Sequence, residues 1–283
     1  MHDVPDHARP EKRTPTASVA AVPLRDPYGG CLPGVVYLVG AGPGAPDLIT
    51  LRGHRLLASA DVVVHDALVE PALYVDLPAE KVDVGKRAGV HALPQDEICA
   101  LLARLAQQGR RVVRLKGGDP FVLGRGSEEA LFLAERGVPH LVVPGISSAI
   151  AGPLLAGIPV THRGVADAFC VVSAHPREGV RDFNVPPYRE QLTVVLLMGV
   201  RSLGAWIPAL RSAGWPGETP LAFVEWAGRP QQRALRTTLA EAENTAAEAA
   251  LAAPAVAVVG GVAALAAGDS EPPYFGQGPS FQV

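Results

Sequence analysis

From Val35 onward, short valine-rich apolar runs alternate with stretches of helical periodicity. The runs Val35–Val39, Asp61–His65, Lys81–Val84, Arg111–Leu115 and His140–Val143 have strand length and little of the polar alternation expected of a sheet with one wet face. Such strands are buried on both sides, which calls for helices above and below a sheet. Between them, Ile98, Leu101, Leu102 and Leu105 share one helical face, and Gly109 is placed to end that helix. A helix is also expected from about Leu48. Ser127 is the expected N-cap of another, with Glu128 and Glu129 favoured in its first turn. A second series follows at Phe169–Ser173, Thr193–Met198, Leu221–Trp226, Arg233–Thr238 and Ala255–Val259, with helical stretches at Ser202–Ala213 and Leu239–Ala252. The pattern predicts an α/β protein: one α/β domain over residues 34–146, a second over 147–267, and a cleft between them. Residues 1–33 and 268–283 are rich in Pro, Gly and polar residues and are expected to be poorly ordered tails.

Charge and cysteine usage narrow the function classes. Lys+Arg 25 against Asp+Glu 28 gives a formal net charge of -3, so nothing points to a nucleic-acid partner. Cys31, Cys99 and Cys170 are far apart and form no C-x-x-C pair, which speaks against a structural metal and a disulfide framework and for a reducing cytoplasm. The N-terminal stretch lacks the apolar core of a signal peptide, and no run has the length of a bilayer span. A soluble cytoplasmic protein without membrane or metal is expected.

Three loops carry the chemistry. The first, Val39-Gly40-Ala41-Gly42-Pro43-Gly44-Ala45-Pro46, follows a strand; Gly40, Gly42 and Ala45 satisfy the spacing of a dinucleotide fingerprint, with Asp66 where a ribose-binding acid could sit. Pyrophosphate binding relies on backbone N–H groups, and Pro43 and Pro46 each remove one. A cofactor without phosphate, such as S-adenosylmethionine, tolerates that loss. The second loop, Lys116-Gly117-Gly118-Asp119-Pro120-Phe121-Val122-Leu123-Gly124-Arg125, again leaves a strand end, with paired glycines, a carboxylate and an arginine between glycines. In the third, Pro144-Gly145-Ile146-Ser147-Ser148, Ser147 reads as an ordinary N-cap. Taken together, they point to one cofactor cleft at the carboxyl ends of the strands.

The segments VYLVGAGPG, ASADVVVHDALV, VGKRAGVH, VVRLKGGDPFVLGRGSEEA, VVPGISSA, AGIPVTHR and LLMGV closely resemble the uroporphyrinogen-III C-methyltransferases of the tetrapyrrole methylase family, from about Val35 to Leu265. The resemblance implies two α/β domains with five-stranded mixed sheets, S-adenosylmethionine bound between them and released as S-adenosylhomocysteine, a homodimer, and an acidic tetrapyrrole substrate. Its cofactor contacts fall on Pro43, Gly117, Gly118, Asp119, Val122, Ser147, Ser148, Met198 and Ala227. It implies Asp66 as proton acceptor, Lys86 as proton donor, and Arg87 and Arg125 as substrate-binding residues. The reaction it implies is two C-methylations of uroporphyrinogen III, through precorrin-1 to precorrin-2, in sirohaem or cobalamin biosynthesis. A guanidinium fork suits the many carboxylates of that substrate.

The chain departs from the family pattern at several points. Ala45 replaces an acid, Ala67 an arginine of Y-D-R-L-V, Leu155 a tyrosine, and Trp226-Ala227-Gly228-Arg229 stands where an N-G-T stretch is usual. Alternative readings are a methyltransferase of a later corrinoid precursor, a non-catalytic tetrapyrrole-binding protein, and a nicotinamide oxidoreductase built on the first glycine loop.

Overall fold

A computed structural model describes residues 29–85, 93–175 and 183–265. All ten expected strands form, with ends shifted by at most one residue where they differ. The first sheet contains β1 (Val36–Gly40), β2 (Val62–His65), β3 (Glu80–Asp83), β4 (Val112–Lys116) and β5 (His140–Val143), in the order β3-β2-β4-β1-β5. Every pairing in it is parallel. All five carboxyl ends therefore lie along one edge of the sheet.

Strand parity divides the side chains between two cores. Tyr37, Val39, Val63, Val113 and Leu115 face α1 (Leu51–Ala58) through Leu56 and Leu57. Val36, Leu38, Val62, Val64 and Val112 face α2 (Gln95–Gln107) and α3 (Gly126–Glu135) through Ile98, Leu102, Ala130 and Leu133. Fully burying each such aliphatic side chain contributes about 1.5–3 kcal/mol. The same parity sends Arg114 and Lys116 of β4 toward α3, the fact on which the site turns.

The second sheet contains β6 (Ala168–Ser173), β7 (Leu192–Leu197), β8 (Pro220–Glu225), β9 (Arg233–Thr238) and β10 (Ala255–Val259), in the order β6-β7-β10-β8-β9. Only β6 and β7 pair in parallel, so the expectation of mixed sheets holds for this half and the first sheet is the exception. One face carries Val195, Leu197, Ala222, Val224, Val256 and Val258 against α4 (Ser148–Leu155). Leu48 and Val122, from the loops of the first sheet, pack into that same core. The other face packs on α5 (Leu203–Ser212) and α6 (Ala242–Glu248) around Trp206, Leu210, Trp215 and Phe223.

Local signals fared unevenly. Gly109 ends α2 at φ 76°, as its position requires. Ser147 caps α4, its hydroxyl accepting from Ala149 N–H at 3.2 Å. Ser127 does not cap α3; it lies inside the helix, whose N-cap is Arg125 in the left-handed region at φ 57°. The helix starts early because Gly126 N–H donates to the Pro120 carbonyl at 2.9 Å, turning the chain before the serine is reached. The helix expected from Leu48 begins instead at Leu51, where Thr50 accepts from Gly53 N–H at 3.1 Å; residues Pro46–Leu48 form a separate 3-10 turn. Cys31, placed by sequence in a tail, is buried, its N–H bonded to Ser59 Oγ at 2.8 Å.

Candidate active site

The three loops meet as backbone against backbone. Ala41 N–H donates to the Lys116 carbonyl at 2.7 Å and Gly42 N–H to that of Gly118 at 3.2 Å, with Gly118 N–H returning to Gly42 at 2.8 Å. A methyl group on Gly40 would lie 2.5 Å from Gly145 Cα and 2.7 Å from the Gly118 carbonyl oxygen, so no side chain fits at this junction. Asp119 closes the third side. Its Oδ1 accepts from Phe121 N–H at 2.8 Å and its Oδ2 from Gly145 N–H at 3.0 Å. Ser147 and Ser148 sit beside Gly118, whose missing side chain would stand 3.6 Å from Ser148 N. Gly117 faces open space.

The second sheet supplies the opposite wall. Because β7 and β8 run the same way, Met198 and Ala227 leave the sheet along one edge. Gly44 abuts this wall, since a methyl there would come within 2.8 Å of the Ala227 carbonyl oxygen. Arg229 spans the two halves: its guanidinium donates to the Leu68 carbonyl at 2.5 Å and pairs with Glu70 at 3.3 Å. Of the five non-glycine residues with positive φ among those described, Leu123, Arg125, Met198 and Trp226 belong to these walls. Such strain gathers where a ligand is held.

Asp66 follows β2 and is one-third exposed. Its Oδ1 accepts from Arg114 Nη2, and Arg114 also donates from Nε to Glu129 Oε1 at 3.2 Å. Lys116 Nζ reaches the same Glu129 oxygen at 2.9 Å. Burial works against the charge on Arg114, but the carboxylates of Asp66 and Glu129 outweigh it and hold the guanidinium protonated. For Lys116 burial wins, with Arg114 adding to it, and its ammonium is pushed below the usual lysine range.

Among the proposed substrate residues, Arg125 lies on the exposed rim and is paired with Glu128 at 2.6 Å. That pair holds the Glu128 carboxyl below its ordinary value. Lys86 and Arg87 lie outside the described residues; Gly85, just before them, abuts Ala67, with room for no side chain between. Asp66 thus stands with the junction loops, Pro43, Gly117, Gly118, Asp119 and the two serines on the first sheet's edge. Val122, Met198 and Ala227 belong to the second half or pack against it. Leu155, where the family has tyrosine, is buried; its carbonyl accepts from Gln232 Nε2 at 2.9 Å, and Gln232 Oε1 accepts from Gly228 N–H at 2.8 Å. It supports the Ala227 wall rather than the open cleft.

Sequence reasoning missed Arg114, Lys116, Glu129 and Arg229. Strand parity places the first two on one face, and a helical count puts Glu129 beside Ala130 and Leu133 on the buried side of α3. Reading Glu129 only as a favourable first-turn charge concealed this. Arg229 has no local signal, because its partners are about 160 residues earlier in the chain.

Among the described residues no group of three or more His, Cys, Asp or Glu is arranged to hold a metal ion, and no helix is long and apolar enough to cross a membrane. Glycine loops locked together at the carboxyl edge of a parallel sheet, with strained residues and the Asp66 carboxylate beside them, make a candidate small-molecule site. Residues 35–243 match the family of Tetrapyrrole (Corrin/Porphyrin) Methylases, and the chain belongs to that family. It is 49% identical over 236 residues to the Siroheme synthase of Chromobacterium violaceum, covering 82% of this chain and 50% of that protein. The chain thus spans about half the length of the curated relatives it matches. It is similar to the crystal structure of Uroporphyrin-III C-methyl transferase from Thermus thermophilus complexed with S-adenyl homocysteine: TM-score 0.69, 43% identity, 81% of this chain and 99% of the other. A cobalt precorrin-4 methyltransferase also matches, at TM-score 0.69 and 27% identity over 81% of this chain and 96% of the other.

Proposed function

We propose that this chain transfers methyl groups from S-adenosylmethionine to carbon atoms of uroporphyrinogen III, twice, through precorrin-1 to precorrin-2. The observation that carries the proposal is the three-loop junction facing Ala227 and Met198, with no cationic side chain in its Gly40–Pro46 loop and Asp66 at its edge. The junction does not suit a pyrophosphate. Ala41 and Gly42 N–H groups are already bonded within the protein, Pro43 has none, and no cationic side chain stands in the loop Gly40–Pro46. The same features suit a nucleoside bearing a sulfonium and no phosphate, and Gly117 leaves open space for it.

When bound, S-adenosylmethionine supplies an electrophilic methyl group. The chain's own residues do the rest. Exposed Leu68, Phe121, Leu123 and Met198 offer apolar contact to a macrocycle, while Arg125 offers a fork to a peripheral carboxylate after exchanging Glu128 for it. Holding the pyrrole carbon in line with the methyl supplies much of the rate. Asp66, held by Arg114, accepts the proton that the ring gives up once the new carbon–carbon bond has formed. Lys86 and Arg87 are proposed as proton donor and a second carboxylate anchor, following Gly85. Exposed Ile150 and Leu154, one turn apart on α4, support assembly as a homodimer.

The 43% identity to the uroporphyrin-III enzyme against 27% to the precorrin-4 enzyme favours the earlier substrate. The test is anaerobic incubation with uroporphyrinogen III and S-adenosylmethionine, followed by product mass. A gain of two methyl groups is expected. Cofactor binding with no methyl gain would overturn the proposal in favour of a later corrinoid substrate or a binding role.

A further inference from the structure

Beneath the carboxyl edge of the first sheet lie four charges in contact. Arg114, Lys116 and Glu129 have side-chain exposures of 2%, 3% and 0%, against 33% for Asp66. Three donors converge on one oxygen of Glu129: Arg114 Nε at 3.2 Å, Lys116 Nζ at 2.9 Å and Gln95 Nε2 at 3.1 Å. Its other oxygen is buried without a hydrogen-bond partner. Arg114 is fixed from the remaining sides, with Nη1 3.4 Å from the carbonyls of Val64 and Leu115, so its Nη2 can point only along the sheet edge, to Asp66.

Such a cluster is poorly explained by stability. Withdrawing charges from water costs about as much as their attraction returns, and apolar packing of equal volume serves a core as well or better. Its two cations and two anions balance, and its one solvent-reaching member is the carboxylate at the site. We propose that Arg114, with Glu129 and Lys116 behind it, is a positioning clamp that fixes the orientation of the Asp66 carboxyl for proton acceptance. Arg114 and Glu129 act through Asp66 and touch neither substrate nor cofactor. This inference rests on the methyltransferase reading above for its catalytic consequence, though not for the clamp itself.

The charged groups around Asp66 are Arg114 and Lys116 of β4 and Glu129 of α3, with His65 next in the chain and Asp83 of β3 opposite His65 in register. Removing the Arg114 fork takes away the partner that holds the Asp66 carboxyl, which should then sample several orientations. Removing the Glu129 carboxylate frees the Arg114 guanidinium from behind and should loosen Asp66 to a smaller degree.

The experiment uses the full chain with carbon-13-labelled aspartate carboxyls, the Asp66 signal being assigned with Asp66→Asn. The Asp66 carboxyl resonance is expected to shift and broaden in Arg114→Leu, and less so in Glu129→Gln. With uroporphyrinogen III, kcat in Arg114→Leu should fall about a hundredfold, the cost of a misplaced catalytic group. S-adenosylhomocysteine affinity and KM should hold, and Arg114→Lys should restore part of kcat. Should Arg114→Leu fail to fold, Arg114→Lys and Glu129→Gln carry the same comparison. An Asp66 resonance identical in position and width in all variants would overturn the clamp, as would a loss of cofactor affinity equal to the loss of kcat. A wild-type chain that transfers no methyl group would sink the functional reading, and the carboxyl spectra would still decide the clamp.

Discussion

The two walls of the cleft are built on opposite principles. The first sheet is parallel throughout, and its carboxyl edge carries ionised groups, Asp66 with Arg114, Lys116 and Glu129 beneath it. The second sheet is mixed, and the face it turns toward the first is apolar, from Val195 to Val258, ending in Ala227 and Met198 at the rim. On the proposed function, the contrast separates two tasks. Proton handling needs charges fixed by other charges, which a buried strand can hold only with a partner on the helix above it. The proposed nucleoside cofactor, which carries no phosphate, needs shape and backbone groups, which glycine junctions and an apolar wall provide.

The largest expected effect lies on the charged wall. Asp66→Asn should reduce methyl transfer about 10²–10⁴-fold, the range for a general base, and leave S-adenosylhomocysteine affinity unchanged by calorimetry. A matching loss of affinity would mean that Asp66 holds the cofactor, and the division of labour would fail.

Next comes the junction between the walls. Gly145→Ala would push a methyl group against the Gly118 carbonyl and within 2.7 Å of Gly40 Cα. A destabilisation of about 1–3 kcal/mol in urea unfolding is expected, with cofactor binding weakened. Unaltered stability would show that the three loops are not locked together.

At the rim, Arg125→Ala should raise KM for the porphyrinogen about tenfold, the worth of one charge-assisted hydrogen bond, with cofactor affinity unaffected. Unchanged kinetics would remove Arg125 from the substrate site. Across the rim, Arg229→Ala releases the Glu70 and Leu68 contacts, and cofactor affinity should fall up to about fivefold. A larger loss would make Arg229 a true element of the cofactor wall.

The smallest effect lies at the other edge of the first sheet, far from the chemistry. There Arg111 binds Asp61 by side-chain and backbone hydrogen bonds and lowers its carboxyl to about 2. A depressed folded value contributes stability that is present above the ordinary aspartate range and lost as pH falls toward 2. Thermal melts between pH 5 and pH 2 should therefore fall less steeply in Asp61→Asn, with methyl transfer untouched at neutral pH.

The two walls were also unequally legible. Strands such as β1, β2 and β10 were visible in the sequence because doubly buried strands leave continuous apolar runs, whereas the edge strands β3 and β9 are largely exposed and depart from that expectation. The glycine loops were visible because close backbone approach admits no other residue. The charged cluster was hidden in plain composition. Arg114 and Lys116 look like strand-end solvation until parity is counted, and Glu129 looks like a helix-dipole charge until the helix is docked. The span of Arg229 to Glu70 is a product of tertiary packing alone. Ser127 misled for a local reason, since the Pro120–Gly126 turn starts α3 before the serine can cap it.

The most direct measurement is hydrogen exchange of the full chain with and without S-adenosylhomocysteine. If one ligand sits between the two walls, protection should rise together in peptides covering Gly40–Pro46, Gly117–Arg125 and Ser147–Ser148 on one side and Met198 and Ala227 on the other. Protection confined to the loops of one sheet would contradict a shared cofactor cleft.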